Sequence, residues 1–522
     1  MAIDAGDTLV QELHKHNPWW ADGTEAFSLP ARHKSDFYHL VRPDDTGSQI
    51  EAQPLLGLVG RRGVGKTTLI HEFIHHRIQQ GDPPERFLYL PFNANPLYQL
   101  DSDTQLRRAV RHYETRILGR IETTAPHFLL LDDVNLIEHP TKPTIDGWGV
   151  PIADFLDTNT PRHIVVTASA GIQVRRELNK ANVPESTYDI QPILPEKFRD
   201  YIFTLYPQLE ASQDTRISPT SLRQGQNSLP HTLETGNVDP FLTELQAKYD
   251  QISDAHSRIR SQVADYLAMG GTISYAQDGP VHTVRDLEPQ AYDRLRENVR
   301  DALYQEIPGF ESIQTIADLD RLMALAATNR AATPLQFQAL TELFDVDRRT
   351  ITDSYLPALS QLYLLTGVTE YDNSRPRSVR LYLRDPGLAI ALIDRDPHEI
   401  RSDFALEADL ARITGFDHTM RFAYGVNAIQ EYDQWPSVQF WRSRKGEVDY
   451  VFEIGNTPVP VGLAYRPSEK PETRASIQDF LDTYDVPVGI LLAGETLQAG
   501  DQIKLIDDRL VQLPYWFYLL LC

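Results

Sequence analysis

The fold is decided by a stretch that reads Leu55-Leu56-Gly57-Leu58-Val59-Gly60-Arg61-Arg62-Gly63-Val64-Gly65-Lys66-Thr67-Thr68. The apolar run from Leu55 to Val59 predicts a buried strand, and the pattern Gly-x4-Gly-Lys-Thr follows it directly. A helix is expected from about Lys66 to Gln80, where Gly81 would end it. Glycines let backbone N–H groups converge on anionic oxygens, and the start of the helix adds its positive end. The stretch therefore predicts a phosphate-binding loop.

This loop is expected to bind ATP together with Mg²⁺. Lys66 would reach the β- and γ-phosphates, and the hydroxyl of Thr67 would coordinate the metal. The alternative is a chance match in an ordinary turn, but the strand, loop and helix signals all agree. The predicted nucleotide-binding residues are Gly60, Arg61, Arg62, Gly63, Val64, Gly65, Lys66, Thr67 and Thr68.

The second half of such a site is a carboxylate at the end of a buried strand, and the run His127 to Asp132 supplies it. Asp132 is expected to hold the hydrated Mg²⁺. Asp133 would be the catalytic base that positions the attacking water. Because Asp is one methylene shorter than Glu, we expect slow hydrolysis. In the alternative interpretation both aspartates only cap the strand.

A further strand, His163 to Thr167, ends near polar side chains that could sense the γ-phosphate. Thr167 is preferred to Ser169 for this role. Arg175, beside Arg176, is the candidate arginine finger that would reach the γ-phosphate of a neighbouring copy and so imply self-association. Arginines on a helix are also common as solvated surface residues, which is the alternative.

Composition indicates a soluble, cytoplasmic protein without membrane contact. The chain lacks a long apolar run, its N-terminus lacks a signal-peptide pattern, and its one cysteine is Cys522. The net charge is -23, and the basic residues are 40 Arg and 10 Lys. This balance favours a salt-rich cytoplasm, as in a halophilic archaeon, although a genome rich in GC would also favour arginine. Binding to nucleic acid would need a local basic patch.

The fold class is predicted to be α/β, because short apolar strands alternate with amphipathic helices as in a P-loop parallel sheet. The adjacent Trp19 and Trp20 are expected to pack on the next domain rather than on a ligand. The predicted parts are 1–50, an N-terminal segment with Asn17-Pro18-Trp19-Trp20; 51–206, the P-loop core; 207–240, a polar linker or insertion; 241–330, a helical lid; 331–398, a winged helix; and 399–522, a second α/β unit.

The winged helix is predicted from a helix at Leu335 to Phe344, a tight turn, a second helix and a hairpin. Arg348, Arg349 and Thr350 would lie on the recognition helix and contact DNA. Contact with a protein is the alternative, since several acidic residues surround these arginines. Those acidic residues are Glu342, Asp345, Asp347 and Asp353.

Taken together, several motifs resemble those of prokaryotic AAA-type ATPases, which are common in archaea and carry a C-terminal domain of unknown function. The resemblance spans nearly the whole chain and implies an ATPase without naming its pathway. The motifs are Asn17 to Trp20, Gly60 to Thr68, Leu131 to Asp133, Thr167 to Ser169, Pro195-Glu196-Lys197-Phe198, Leu381 to Leu388 and Trp441 to Tyr450.

In that family the last domain is similar to restriction-endonuclease-like folds, which cut phosphodiesters with Mg²⁺. Glu407 and Asp449 fit the first two acidic positions, but Gly462 and Ala464 stand where the third ligand and the lysine are expected. We therefore expect a nuclease-like α/β domain that does not cut DNA. The function predicted for the whole chain is an ATP-driven switch on an unknown target. The alternatives are an ATP-regulated DNA-binding protein and an ATP-dependent nuclease.

Overall fold

The computed structural model describes most of the chain, which folds into two compact units. The first unit comprises residues 1–30, 34–194 and 298–314, and the second comprises 31–33, 195–297 and 315–522. The described residues are 5–29, 53–93, 103–121, 125–137, 147–156, 161–211, 228–273, 281, 283–288, 290–329, 333–393, 395–396, 403–426, 437–494 and 502–522.

The first unit is built on a parallel sheet of five strands in the order β2-β3-β4-β1-β5. Strands β1 to β4 contain apolar runs, and all five strands are largely buried, as expected for a sheet covered on both faces. The strands are β1 Leu55–Val59, β2 Phe87–Pro91, β3 His127–Asp132, β4 Arg162–Ala168 and β5 Tyr188–Pro192. The α/β parallel sheet predicted from the sequence is confirmed.

Helices alternate with these strands, and two apolar clusters form the core on the two sides of the sheet. The helices are α1 Ala5–His16, α2 Trp19–Asp22, α3 Lys66–Gln79, α4 Asp103–Arg116, α5 Gly149–Leu156 and α6 Gly171–Lys180. The strands β1, β3 and β4 and the helix after the loop were predicted from the sequence, but β5 was missed because its run Tyr-Asp-Ile-Gln-Pro mixes polar and apolar residues.

The N-terminal segment covers the edge of this sheet at β2. Asn17 is fully buried, donates to the carbonyl of Tyr89 at 3.0 Å and accepts from the Tyr89 N–H at 2.7 Å. The indole N–H groups of Trp19 and Trp20 both donate to the carbonyl of Phe87. The prediction that the two tryptophans pack on the next domain is confirmed. Residues 30–50 of the predicted N-terminal part lie outside the described residues.

The second unit begins with helices. They are α7 Phe198–Leu205, α8 Gln208–Ala211, α9 Ser228–Thr235, α10 Asp239–Gln251, α11 His256–Ser261, α12 Val263–Ile273 and α13 Ala291–Asp301. A polar linker was predicted at 207–240, whereas the structure has the helices α8 and α9 in this part. Leu229 and Thr232 of α9 are buried. The part 212–227 lies outside the described residues.

A small antiparallel sheet follows, with strands in the order β6-β8-β7 around two helical stretches. This order of elements is the one that the winged-helix prediction requires, and the assignment itself stays a prediction. The elements are α14 Ile316–Thr328, β6 Leu335–Gln336, α15 Phe337–Phe344, the π-helical turn Thr350–Tyr355, α16 Leu356–Gln361, β7 Leu365–Val368, β8 Ser378–Leu383 and α17 Pro386–Ile393.

The last part of the second unit contains a mixed sheet of six strands, in the order β13-β14-β12-β11-β10-β9. A long helix precedes the sheet and another connects β11 to β12. The elements are α18 Phe404–Val426, β9 Gln439–Arg442, β10 Glu447–Ile454, β11 Thr457–Ala464, α19 Lys470–Tyr484, β12 Gly489–Ala493, β13 Lys504–Asp507, β14 Leu510–Pro514 and α20 Tyr515–Leu521. The nuclease-like assignment of this α/β part stays a prediction.

The predicted lid at 241–330 is not one body. Residues 298–314 group with the first unit, whereas the helices on either side of them in the chain belong to the second. Helical periodicity alone does not show which unit a helix packs against. Among the described residues, no helix is both long and apolar enough to cross a bilayer.

Candidate phosphate-binding site

The loop between β1 and α3 has the backbone that a phosphate site needs. Gly63 and Gly65 have positive φ angles of 84° and 92°, a conformation that side chains disfavour. At Gly60 a Cβ atom would lie 2.2 Å from the carbonyl oxygen of Ile193, so only glycine fits there. Helix α3 starts at Lys66, directly after these glycines, and presents its first N–H groups to the loop.

Three hydroxyl groups converge on the carboxylate of Asp132 at the end of β3. Thr67 donates to Oδ2 at 2.7 Å, Tyr89 donates to Oδ2 at 2.8 Å, and Thr167 donates to Oδ1 at 2.5 Å. Asp132 is fully buried. Because a buried carboxylate needs hydrogen-bond donors, these contacts fix the orientation of Asp132 beside the start of α3.

The donor set of Thr67 and Asp132 fits Mg²⁺, which prefers hard oxygen ligands and keeps several waters. Their oxygens are already neighbours, since Thr67 lies at the start of α3 and Asp132 at the end of β3. Thr67 would hold the ion directly, and Asp132 would hold it through water. Both residues were predicted from the sequence, and the structure brings them together.

Two of the three predicted nucleotide-binding cations, Lys66 and Arg62, lie in different surroundings. Lys66 is buried and donates to the carbonyl oxygens of Gly60 at 2.7 Å and Arg61 at 3.3 Å. Arg62 is exposed and its Nη1 lies 2.7 Å from Oδ2 of Asp301. In this state both cations are therefore bound to oxygens of the chain itself.

Asp133 follows Asp132 in a left-handed conformation with φ 57°, which turns its side chain toward the end of β2. There Asn93 donates to its Oδ2 at 2.9 Å. Burial raises the pKa of the Asp133 carboxyl, and the positive charge of Lys66 opposes that rise. The predicted base is thus close to the metal residues and is held by one amide.

The hydroxyl of Thr167, at the end of β4, has two hydrogen-bond partners. Besides its bond to Asp132, its hydroxyl oxygen accepts from the backbone N–H of Asp133 at 2.8 Å. It therefore orients both aspartates. Its proposed role as the γ-phosphate sensor stays a prediction.

Ser169 lies two residues beyond Thr167 and hydrogen-bonds the side chain of Glu306. Glu306 is 9% exposed and its Oε2 has no hydrogen-bond partner among the described residues. Burial raises the pKa of the Glu306 carboxyl, and the charge of Lys66 opposes this. Sequence reasoning missed Glu306, because no local pattern connects residue 306 with a loop at 60–68.

The candidate arginine finger is only partly buried. Arg175 lies on α6 and acts electrostatically on Tyr188 of β5, where it opposes the rise in the pKa of that phenol caused by burial. Its neighbour Arg176 donates to the carbonyl of Gly309 at 2.6 Å. Arg176 is thus engaged within the chain, and the finger role of Arg175 stays a prediction.

In the second unit, two of the three residues predicted to contact DNA, Arg348 and Thr350, have partners within the chain. Asp347 caps the start of the helix that contains Thr350, since its carboxylate accepts from both the N–H and the hydroxyl of Thr350. Arg348 lies over the ring of Phe337 and donates to the carbonyl of Pro376. Arg349 is exposed. The DNA contact stays a prediction.

The acidic residues of the nuclease-like part have partners other than a metal. Oδ1 of Asp449 lies 4.0 Å from the guanidinium of Arg412, and Oδ2 accepts from the N–H of Leu463 at 2.8 Å. Glu407 accepts from the hydroxyl of Tyr465 at 2.6 Å. A Cβ at Gly462 would lie 2.6 Å from Thr473, so a ligand side chain would not fit at that position without a shift.

Comparison with known families gives matches for two parts of the chain. Residues 52–202 match the family described as AAA domain. This match confirms the coarser part of the resemblance, an AAA-type P-loop domain at this place in the chain. Residues 280–399 match a second family, described as Domain of unknown function (DUF8612). That match begins well beyond the AAA domain and includes residues 298–314.

Similar proteins add little about activity. An uncharacterized protein of Methanocaldococcus jannaschii is 22% identical over 347 residues, which are 66% of this chain and 63% of that protein. This chain thus spans less than two thirds of that relative.

A Walker-type ATPase of Pyrococcus abyssi is 11% identical, and the match covers 66% of this chain and 92% of that protein, with a TM-score of 0.34. The ORC1 protein of Aeropyrum pernix, solved in complex with DNA, is 13% identical over 77% of this chain and 95% of its own, with a TM-score of 0.26. Scores of this size carry no structural argument.

Proposed function

We propose that this chain binds ATP with Mg²⁺ at the loop of its AAA domain and hydrolyses it, acting as a nucleotide-driven switch on a target still to be identified. The observation that carries the proposal is the contact between Thr67 and Asp132 at 2.7 Å, at the start of α3. Thr67 from the loop and Asp132 from the end of β3 are adjacent, so the two residues would hold Mg²⁺ together.

The chain's own residues have distinct roles in this proposal. The N–H groups of the loop and of the first turn of α3 bind phosphate oxygens, and Lys66 neutralises their charge. Mg²⁺ held by Thr67 and Asp132 would supply stabilisation of negative charge on the phosphates. Asp133 accepts a proton from the attacking water, and Thr167 holds Asp133 in place through its backbone N–H.

Replacing Lys66 tests the proposal. We expect Lys66→Ala to abolish phosphate release and to weaken ATP binding, because a buried cation aimed at the phosphates is lost. Isothermal titration calorimetry would measure binding, and a malachite-green assay would measure phosphate release. Lys180→Ala, which removes an exposed lysine from α6, is the matched control. Unchanged affinity and turnover in Lys66→Ala would show that the site is assigned wrongly.

A further inference from the structure

Residues 298–314, here called the acidic segment, reach the phosphate-binding site from far along the chain. They belong to the first unit although residues 195–297 and 315–522 belong to the second. The acidic segment contains the end of α13, the π-helical turn Ala302–Glu306 and the 3-10 turn Ile307–Gly309. The bond from Arg176 of α6 to the carbonyl of Gly309 attaches it to the AAA domain.

Two carboxylates of the acidic segment interact with cations of the loop, one through an ion pair and the other electrostatically. Asp301 forms the ion pair with Arg62 at 2.7 Å. Glu306, one helical turn further on, is buried, acts electrostatically on Lys66 and Arg62, and hydrogen-bonds Ser169 at the end of β4. The loop cations that would bind phosphate oxygens are thus beside carboxylate oxygens that come from the same chain.

One carboxylate oxygen of Glu306 lacks a hydrogen-bond donor among the described residues. Its Oε2 is buried without a hydrogen-bond donor in the described part of the chain. Leaving a buried charged oxygen without a donor is costly, and a local π-helical turn is itself unusual and frequent at functional sites. Three buried apolar side chains, Ala302, Leu303 and Ile307, favour the docked position despite this cost.

We propose that the acidic segment is an autoinhibitory contact, in which Asp301 pairs with Arg62 and the charge of Glu306 acts on Lys66 and Arg62, so that both carboxylates oppose binding of the phosphates of ATP. The proposal rests on the proposed function of the loop as an ATP site. A polyanionic triphosphate and two carboxylates near the same cations repel one another, and the repulsion is strongest at Glu306, where burial weakens screening by water. ATP binding and docking of the acidic segment therefore compete.

Charge-neutral variants of the full chain test this competition. We expect Asp301→Asn and Glu306→Gln each to tighten binding of Mg-ATP, and the double variant to tighten it by at least about fivefold, a usual size for coupling between sites. Glu297→Gln is the matched control, because it removes one charge from an exposed position on α13. Affinities are measured by calorimetry at about 0.2 M and about 2 M KCl.

The dependence of ATP affinity on salt concentration distinguishes the effects of the two carboxylates. The Arg62–Asp301 pair is partly exposed, at 47% and 34%, so its effect should shrink at the higher salt concentration. The effect of Glu306→Gln should persist, since its side chain is buried. Equal affinity for wild type, control and double variant would overturn the proposal. So would loss of turnover in Glu306→Gln at unchanged affinity, which would instead make Glu306 a catalytic base.

Hydrogen exchange of the wild-type chain supplies a second test that needs no variant to fold. Addition of Mg-ATP should increase amide exchange in residues 299–309, because the acidic segment leaves the loop. Unchanged or slower exchange there, with ATP bound, would overturn the competition. If neither wild type nor any variant binds ATP, the proposed function has failed as well; if all bind it equally, only the autoinhibitory contact has failed.

Discussion

At the scale of single residues, the buried carboxylate of Asp132 organises the candidate site through the hydroxyls of Thr67, Tyr89 and Thr167. The sequence allowed Thr67 and Asp132 to be predicted, because the loop motif and the strand before Asp132 are local patterns. Tyr89 could not be predicted for this role. It lies in an apolar run that predicts only a strand, and its polar contact depends on the order of β2 and β3 in the sheet.

Asp133 offers a clean test of the catalytic step. We expect Asp133→Asn to keep ATP affinity and to reduce turnover by about a hundredfold or more, because the amide cannot accept a proton. Asparagine tolerates the left-handed backbone at φ 57°, so the change adds little strain. Affinity and phosphate release are measured on the same preparation. Loss of both binding and turnover would place a metal ligand at Asp133.

His418 on α18 should make folding of the second unit sensitive to acid. Burial lowers the pKa of His418 to about 3, although the negative charge of Asp417 opposes this, and Arg421 and Lys197 add to the lowering. Its Nε2 accepts from the N–H of Phe198 at 3.2 Å, a bond that protonation would break.

The sign of this pH effect follows from proton binding. The unfolded chain takes up a proton on His418 near its usual pKa of 6.5, whereas the folded chain does not until about 3. Stability is therefore complete above pH 6.5 and falls with acidification toward pH 3, by about 2 kcal/mol between pH 7.5 and 5.

Denaturant unfolding at these two pH values measures this loss for the wild type and for His418→Gln. The variant should be less stable at pH 7.5 but should lose about 2 kcal/mol less on acidification. His231→Gln, at an exposed position on α9, is the control and should follow the wild type. Parallel losses in the wild type and in His418→Gln would exclude His418 as the cause.

At the scale of elements, the N-terminal segment completes the exposed edge of the sheet. The side chain of Asn17 hydrogen-bonds both the N–H and the carbonyl of Tyr89, as the backbone of a neighbouring strand would. The sequence indicated that Trp19 and Trp20 pack against a neighbour. The pairing of Asn17 with β2 was not predictable, because it joins residues that are distant in the chain.

Asn17→Ala should therefore destabilise the first unit. The substitution leaves the N–H and carbonyl of Tyr89 without their partner in a buried place, at a cost of about 2–4 kcal/mol for the two groups. Denaturant unfolding of the full chain would show this loss. Asn179→Ala, at an exposed position on α6, should leave stability nearly unchanged. A loss equal to that of the Asn179 control would show that Asn17 does not support the edge.

At the scale of the whole molecule, sequence reasoning succeeded where neighbours in space are neighbours in the chain. The strands β1, β3 and β4 and the helix α3 follow from local periodicity. The predicted boundaries of the lid did not match the units, because residues 298–314 group with a sheet whose last strand ends at Pro192. Which surface an amphipathic helix covers is set by tertiary packing, and no local signal encodes it.

The discontinuity of the first unit has a consequence for how the chain is made. When the ribosome has produced the last strand of the AAA domain, the acidic segment has yet to be synthesised. At ordinary rates of elongation the interval is on the order of ten seconds. We expect the sheet of the nascent chain to form in that interval, with the cations of its loop uncovered. On the proposed function of the loop and the proposed autoinhibitory contact, nucleotide would bind the loop before Asp301 and Glu306 are made, and the acidic segment would dock only after that ligand leaves.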